Sequence, residues 1–255
     1  MAGGGGAGGG DGRVNAALVK ERARRDPQWW VFESGYIRTK DEHDSADPIK
    51  PIPDTPYLRA LLDVLCVSGH VTPPQGATHA LAAGINPLWL EVVAQTGTVF
   101  IEKSRQIMAT WLCCIYAHWR ARSRPHQLIL IQSKREEDAA KLVYVKEPSL
   151  GRISFLEDHL PKPLRMTTWP RSGTYGQLFV QHPDGVSHIW GIPEGGDVIR
   201  SNTPSVVIAD EAAFQADFGR SYTAARPAVQ GGGQYVAIST AEPGEFCELV
   251  EGRVA

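Results

Sequence analysis

The sequence has few cysteines, no long apolar run and no excess of basic charge. Its four cysteines form no Cys-x-x-Cys pair, which excludes a disulfide scaffold and a zinc knuckle. No apolar run approaches the roughly 20 residues of a membrane span, and no secretory signal is visible. Lys and Arg number 26 against 28 Asp and Glu, so a strongly basic nucleic-acid binder is not indicated. We expect a reduced cytoplasmic protein without membrane association.

Three regions differ in composition along the 255 residues. Residues 1–12 are a glycine tract without apolar side chains, and we expect this tail to be disordered because it has no surface to bury. Residues 13–56 combine a basic helix-forming segment, several aromatic residues and a Pro-rich stretch, which predicts a helical and irregular extension. The helical segment is either a solvated helix or a basic arm that contacts nucleic acid or a partner. Residues 57–255 have the composition of a packed domain.

Buried strands alternate with helices in the main domain. Apolar runs bounded by turn residues predict strands, and residues 177–182 and 188–192 read as a β-hairpin. The predicted strands are 98–104, 127–133, 204–210 and 234–240, and the predicted helices are 57–67, 109–123 and 135–146. Continuous Val, Ile and Leu strands separated by helices are typical of a mainly parallel sheet covered on both faces. The predicted fold class is therefore α/β.

The strongest local signal is a pair of acids at the end of a predicted strand. Asp210 and Glu211 follow the apolar run SVVIA. Ligands of parallel sheets gather at the carboxyl ends of strands, where one acid can hold Mg²⁺ and the next can polarise an attacking water. The alternative is a helix start that favours acids through its dipole. The pattern favours a nucleoside triphosphatase.

A second candidate segment, FIEKSRQIMATW, lies between a predicted strand and a predicted helix. It lacks both glycines of the G-x-x-x-x-G-K-[ST] phosphate loop, and Ala109 stands where the lysine would be. Lys103, Arg105 and Thr110 remain as phosphate-binding candidates. The alternative is a plain turn with surface cations, but its position ahead of the acid-bearing strand favours a phosphate loop.

Four blocks together carry a resemblance to a known family. KSRQ-x-x-x-T, LILIQSKREEDAAKL, VIRSNTPSVVIADEAAF and YVAISTAEPGEF occur in this order over residues 98–246. The set resembles the ATPase domain of the terminase large subunit of tailed bacteriophages, the DNA-packaging motor. The resemblance implies a P-loop NTPase fold of the ASCE/RecA-like type and hydrolysis of ATP with Mg²⁺.

The resemblance also implies roles for individual residues. Lys103 matches a phosphate-binding lysine displaced to the start of the loop, and Glu211 matches the catalytic base. Arg105 matches an arginine that contacts the γ-phosphate, and Arg200 matches one that acts on a neighbouring subunit. The implied ATP-binding loop is Lys103, Ser104, Arg105, Gln106, Ile107, Met108, Ala109 and Thr110. The implied metal-binding residues are Thr110 and Asp210, and the implied coupling residues are Ser239 and Thr240. Either arginine could instead pair with nearby acids, and Ser239 and Thr240 could cap a turn.

Partners follow from the same resemblance. It implies non-specific binding of double-stranded DNA, a homo-oligomeric ring, and contacts with a portal protein and a terminase small subunit in the cytoplasm of the bacterial host, not in the mature virion. Residues 101–146 carry nine basic and four acidic residues, a local excess that could face DNA phosphates. The alternative is that Arg120, Arg122 and Arg124 form a solvated helix end.

Two departures from the family pattern stand out. Met108 replaces the usual glycine, and its side chain could crowd the phosphates. The sequence ends at residue 255, shortly after Thr240, so we expect neither the lid subdomain nor the nuclease domain, and no nuclease activity, from this chain. A degenerate, non-hydrolysing nucleotide-binding or assembly module and a helicase-like DNA translocase are the alternative functions.

Overall fold

A computed structural model describes residues 15–41, 44–105, 107–146, 151–169 and 176–252. The predicted disordered tail at 1–12 and the predicted ATP-binding residue Gln106 lie outside these residues. Within them, no helix is long and apolar enough to cross a membrane.

The described chain alternates helices and strands from residue 87 onward, as the sequence predicts. The helices are α1 (Ala16–Arg25), α2 (Pro56–Ser68), α3 (Thr78–Ala82), α4 (Pro87–Thr96), α5 (Ala109–Ser123), α6 (Glu136–Val143), α7 (Arg152–Asp158), α8 (Asp197–Arg200), α9 (Phe218–Gln230) and α10 (Glu245–Val250). The strands are β1 (Arg38–Lys40), β2 (Ile49–Pro51), β3 (Thr98–Glu102), β4 (Leu128–Gln132), β5 (Thr168–Trp169), β6 (Gln177–His182), β7 (Gly185–Ile192), β8 (Val206–Asp210) and β9 (Gln234–Ser239).

A seven-stranded sheet forms the centre of the described chain. Its strand order is β3-β9-β8-β4-β7-β6-β5. The five strands from β3 to β7 are parallel, whereas β6 pairs antiparallel with β7 and with β5. The structure thus confirms the predicted α/β class, the mainly parallel sheet and the hairpin. Because β9 lies between β3 and β8, the strand that precedes the candidate phosphate loop and the strand that ends in acids are not neighbours.

Successive side chains of the central strands point to opposite faces of the sheet, and each face has its own hydrophobic core. On one face, Ile208 of β8 and Val236 of β9 pack with α2 and α5. On the other face, Val207 and Tyr235 pack with α9 and α10. Every residue of β8 and β9 is buried. Burial on both faces explains why these strands are continuous apolar runs.

The N-terminal segment is more regular than the sequence indicates. The Pro-rich stretch contains β2, which pairs antiparallel with β1, and a π-helical turn spans Trp29–Glu33. The Nε1–H of Trp119 in α5 donates to the carbonyl of Ala23 in α1 at 2.7 Å. This bond attaches α1 to the main core, while its arginines Arg22, Arg24 and Arg25 are exposed.

Candidate active site

A cleft of about 700 Å³ opens at the carboxyl ends of the parallel strands. β3 leads into the loop before α5, β8 ends at Asp210, and β9 ends at Ser239. Six of the residues predicted for the site line this cleft: Lys103, Arg105, Thr110, Asp210, Glu211 and Thr240. Residues more than 100 positions apart in the sequence therefore meet at one edge of the sheet, as parallel strands require.

Asp210 and Thr110 form the deeper part of the cleft. The hydroxyl of Thr110, in the first turn of α5, donates to Oδ1 of Asp210 at 2.9 Å. Asp210 is only 8% exposed. Burial raises the pKa of Asp210, and the hydrogen bond from Thr110 partly offsets this increase. A hydroxyl and a carboxylate are oxygen ligands, and they leave the other positions around a Mg²⁺ ion to water and phosphate oxygens, as that ion prefers.

Lys103 and Glu211 form an ion pair across the cleft. Nζ of Lys103 lies 3.3 Å from Oε1 of Glu211. The lysine side chain is 7% exposed, whereas that of Glu211 is 41% exposed. The backbone N–H of Lys103 also donates to the carbonyl of Ser239 at 2.9 Å, which ties the start of the loop to the end of β9. The cleft thus holds a nearly buried cation beside a solvent-accessible carboxylate.

Two non-glycine residues of the site adopt left-handed backbone conformations. Glu211 has φ +50° and Met108 has φ +59°. Such conformations cost side-chain-bearing residues about 1–2 kcal/mol, and strain of this kind is concentrated at functional sites. The resemblance seen in the sequence implies glycine at position 108, and the backbone there has the conformation that glycine favours. The Met108 side chain packs against the core and lines a neighbouring groove beside β1 and β2.

The remaining loop residues divide into exposed and packed ones. Ser104 and Arg105 are exposed, Ile107 packs against the core, and Ala109 is buried. No side chain caps the first turn of α5, within the described chain. Uncapped amides at the start of a long helix bind anions through hydrogen bonds and the helix dipole.

The predicted coupling residues lie at the same edge of the sheet. Ser239 is fully buried, and its hydroxyl has no hydrogen-bond partner among the described residues. Thr240 follows it and lines the cleft. In the part of the chain that the structure describes, neither side chain accepts a capping hydrogen bond from the following turn.

Arg200 lies elsewhere. It ends the short helix α8, is exposed, and pairs with Asp197 on its own turn at 3.3 Å. It does not belong to the residues that line the cleft. Within one chain, the structure therefore brings Arg200 together with an acid and not with the other predicted site residues.

Several cations of the cleft were not predicted as site residues. They are Lys40, Lys134, Lys141 and Arg152. Together with Lys103 and Arg105 they make six cations, against the three acids Asp138, Asp210 and Glu211. Lys134 follows the end of β4 and could have been found from that position. Arg152 belongs to α7, which the sequence pattern does not predict. The excess of positive charge suits a polyanionic ligand.

The alternative of a solvated helix end is wrong for two of its three arginines, and the same two are unavailable to the basic surface predicted over residues 101–146. Arg120 is buried and donates to the carbonyl of Gly69 at 2.9 Å. Arg122 is nearly buried and pairs with the buried carboxylate of Glu157. Their donors are used inside the protein, so neither side chain can face DNA phosphates. The sequence shows the charge of these residues but not the carbonyl and carboxylate that fold against them.

No protein-family model matches the sequence, and no curated protein matches it. Among solved structures, the chain is similar to the large terminase ATPase domain of Thermus phage P74-26, with 18% identity and a TM-score of 0.44 over 56% of this chain and 60% of that one. It is similar to the HK97 bacteriophage large terminase, with 17% identity and a TM-score of 0.44 over 60% of this chain and 33% of that one.

A further similar structure is the large terminase of a thermophilic bacteriophage in complex with ADP. It is 11% identical, with a TM-score of 0.47 over 71% of this chain and 38% of that one. The matched parts thus cover between about a third and three fifths of these proteins. These structures are large terminases, the family that the sequence resembles. The chemistry of the cleft is argued from the residues of this chain.

Proposed function

We propose that this chain is the ATPase domain of a viral DNA-packaging terminase large subunit, and that the cleft hydrolyses Mg-ATP to drive translocation of double-stranded DNA into a procapsid. One observation carries the proposal: the Thr110–Asp210 and Lys103–Glu211 pairs share a cation-lined cleft at the carboxyl ends of parallel strands. Phosphoryl transfer needs three kinds of group, and this cleft has each of them: a hydroxyl and an acid to hold a metal, a lysine to bind phosphates, and a half-exposed acid to act on water.

Each pair has a separate task in this mechanism. Thr110 and Asp210 would hold Mg²⁺, which neutralises charge on the phosphate oxygens when bound. Lys103 and the first amides of α5 would bind the β- and γ-phosphates. Arg105, which is exposed at the rim of the cleft, would contact the γ-phosphate. These contacts position the phosphates and stabilise negative charge in the transition state, the largest contributions to such reactions.

Glu211 would act on the attacking water. The water oxygen forms a bond to the γ-phosphorus, the bond from that phosphorus to the bridging oxygen of ADP breaks, and a water proton passes to the carboxylate of Glu211. Lys103 holds this carboxylate at 3.3 Å. Incoming phosphates compete for the lysine and would free Glu211 to orient the water.

The strand end beside the cleft offers a route from chemistry to movement. The N–H of Lys103 donates to the carbonyl of Ser239, and Thr240 follows at the cleft wall. A shift of Lys103 on hydrolysis would therefore reach the segment after β9. By the family resemblance, Arg200 would act in trans within a homo-oligomeric ring, with a portal protein and a terminase small subunit as partners in the cytoplasm of the bacterial host. Contact with DNA would be non-specific and salt-sensitive.

The first test is binding, since a residue supplied in trans would make an isolated chain a slow enzyme. Thermal unfolding is recorded with and without a non-hydrolysable ATP analogue and Mg²⁺. At about 100 times its dissociation constant the analogue should stabilise the parent chain by about 2.7 kcal/mol. Lys103→Ala should lose this stabilisation, whereas Lys162→Ala, which removes an exposed cation that does not line the cleft, should keep it.

The opposite result is equally informative. No stabilisation of a folded parent chain would contradict the ATPase proposal and favour a degenerate assembly module. The side chain of Met108, at a position where the resemblance implies glycine, would then be the feature to which the loss of binding is attributed.

A further inference from the structure

Arg152 is held firmly at the wall of the cleft. It begins α7, whose next residues, Ile153, Phe155 and Leu156, are buried in the core. Gly151 before it packs so closely that a Cβ atom there would lie 2.7 Å from Cα of Tyr144 and 2.8 Å from the carbonyl oxygen of Val143. The backbone that carries Arg152 is thus fixed against the end of α6.

The side chain of Arg152 extends toward the acids of the site. Its guanidinium lies over the ring of Trp111, 5.3 Å from the ring centre, and Trp111 directly follows Thr110. Arg152 lines the cleft beside Lys103, Asp210 and Glu211.

Like Lys40, Arg105 and Lys134, Arg152 has no ion pair among the described residues, and it differs from those cations in being held over an aromatic ring. Lys103 pairs with Glu211 and Lys141 pairs with Asp138, whereas no carboxylate of the described residues lies within 4 Å of the Arg152 guanidinium. Unlike exposed Arg105, it is partly buried and oriented by an aromatic ring. One of its interactions is a hydrogen bond with the buried thiol of Cys114. The remaining N–H donors of this positioned, planar guanidinium suit phosphate oxygens.

We propose that Arg152 binds the terminal phosphate of a nucleoside triphosphate in this cleft, from the same chain that supplies Lys103. This inference rests on the proposed function, because it names a further ligand-binding residue of the same site. Arg152 stands beside Asp210 and Glu211, where the metal and the attacking water would flank that phosphate. It would add positive charge where negative charge develops during transfer.

The test compares a triphosphate with a diphosphate. Dissociation constants for a non-hydrolysable ATP analogue and for ADP, each with Mg²⁺, are measured for the parent chain, Arg152→Ala, Arg152→Gln and Arg152→Lys. In the Ala and Gln variants, loss of hydrogen bonds to a charged group should raise the dissociation constant of the ATP analogue by about tenfold or more. The dissociation constant of ADP should rise by less than about threefold. Arg152→Lys should bind the ATP analogue with an affinity between those of the parent chain and the Ala variant.

Two controls separate this role from packing and from general electrostatics. Arg152→Gln keeps a planar side chain over Trp111, so a packing role would leave its binding unchanged. Lys162→Ala removes an exposed cation that does not line the cleft and should change both constants by less than about threefold. The melting temperature without nucleotide shows that each variant is folded.

The outcomes are distinguishable from those of the proposed function. The inference would be overturned if Arg152→Gln bound the ATP analogue as tightly as the parent, or if affinity for the analogue and for ADP fell equally. The proposed function would still stand if the parent chain bound the analogue and Lys103→Ala did not. Absence of binding by the parent chain would overturn both.

Discussion

Helix α5 contacts two charged clusters that differ in how completely their members are paired. The cleft cluster, Lys103, Thr110, Asp210 and Glu211, meets the start of the helix. Within the described residues Glu211 has one partner, at 3.3 Å, and it remains 41% exposed. The internal cluster comprises His118 and Arg122 of the same helix and Glu157 of α7.

Glu157 is 3% exposed in its side chain and has three partners. It lies 2.7 Å from Nε2 of His118, it accepts from Arg122, and it accepts the backbone N–H of Met166 at 2.6 Å. A buried carboxylate satisfied in this way fastens α5 to α7 and to the chain beyond. The half-exposed Glu211 has spare acceptor capacity that a ligand or water can use. Completeness of pairing therefore separates a structural cluster from a candidate reactive one.

The largest effect is expected when Glu211, the half-exposed acid of the cleft cluster, is changed. Glu211→Gln keeps the shape of the side chain but removes the acceptor of a water proton. ATP turnover should fall by about 10²–10⁴-fold, the usual contribution of general base catalysis, while binding of the ATP analogue and the melting temperature stay close to those of the parent. Steady-state phosphate release and thermal unfolding measure both.

A nearby acid supplies the control for this change. Glu102→Gln removes an exposed carboxylate at the end of β3 and should leave turnover unchanged. Turnover by Glu211→Gln at the rate of the parent, in a sample free of other ATPases, would remove Glu211 from the mechanism.

The matching change in the internal cluster should act on stability instead. Glu157→Gln leaves Arg122 without its buried counter-charge. Removal of one partner of a buried ion pair costs about 3–5 kcal/mol, so urea unfolding at pH 7 should show a loss of this size. Glu91→Gln, on the exposed face of α4, should cost less than about 0.5 kcal/mol. A loss below about 1 kcal/mol for Glu157→Gln would mean that the cluster does not fasten the helices.

Acid should weaken the same cluster in the parent chain. Burial opposes ionisation of Glu157, yet the hydrogen bond and charge of His118, the charge of Arg122 and the Met166 amide lower its pKa from 4.5 to about 2. Burial lowers the pKa of His118 below 6.5. Both groups bind protons more readily in the unfolded chain, so their contributions to stability are present above pH 6.5. They decline as the pH falls, first for His118 and then, below about pH 4.5, for Glu157. Below pH 4.5, the stability of Glu157→Gln should depend less on pH than the stability of the parent chain does.

The difference between the clusters also explains what the sequence could predict. The four buried strands and the acids Asp210 and Glu211 follow from local pattern, since a strand buried on both faces needs a continuous apolar run. The loop residues Lys103 and Thr110 follow from their place between a strand and a helix. These features depend on a few neighbouring residues.

The remaining features depend on distant contacts. Arg122 finds Glu157 35 positions later, and Arg152 reaches the cleft from a seven-residue helix that has too few turns for a periodic pattern. The position of β9 between β3 and β8 also depends on sheet topology. Charge is visible in a sequence, whereas the partner that buries a charge is not, and for this reason the sequence does not distinguish the buried Arg120 and Arg122 from solvent-facing arginines.

The smallest expected effect concerns the backbone at the start of α5. Met108 has φ +59°, so glycine should fit there better than alanine, although both remove the methionine contacts with the core. Met108→Gly should be more stable than Met108→Ala by about 1 kcal/mol, as measured by urea unfolding. At Glu91, inside α4, the order should reverse by a similar amount because glycine weakens a helix interior. If Met108→Ala were as stable to urea as Met108→Gly, or more stable, the left-handed turn would not be retained in solution. If glycine instead stabilises the turn and also tightens binding of the ATP analogue, the methionine restrains a loop that otherwise has the backbone of a phosphate-binding turn.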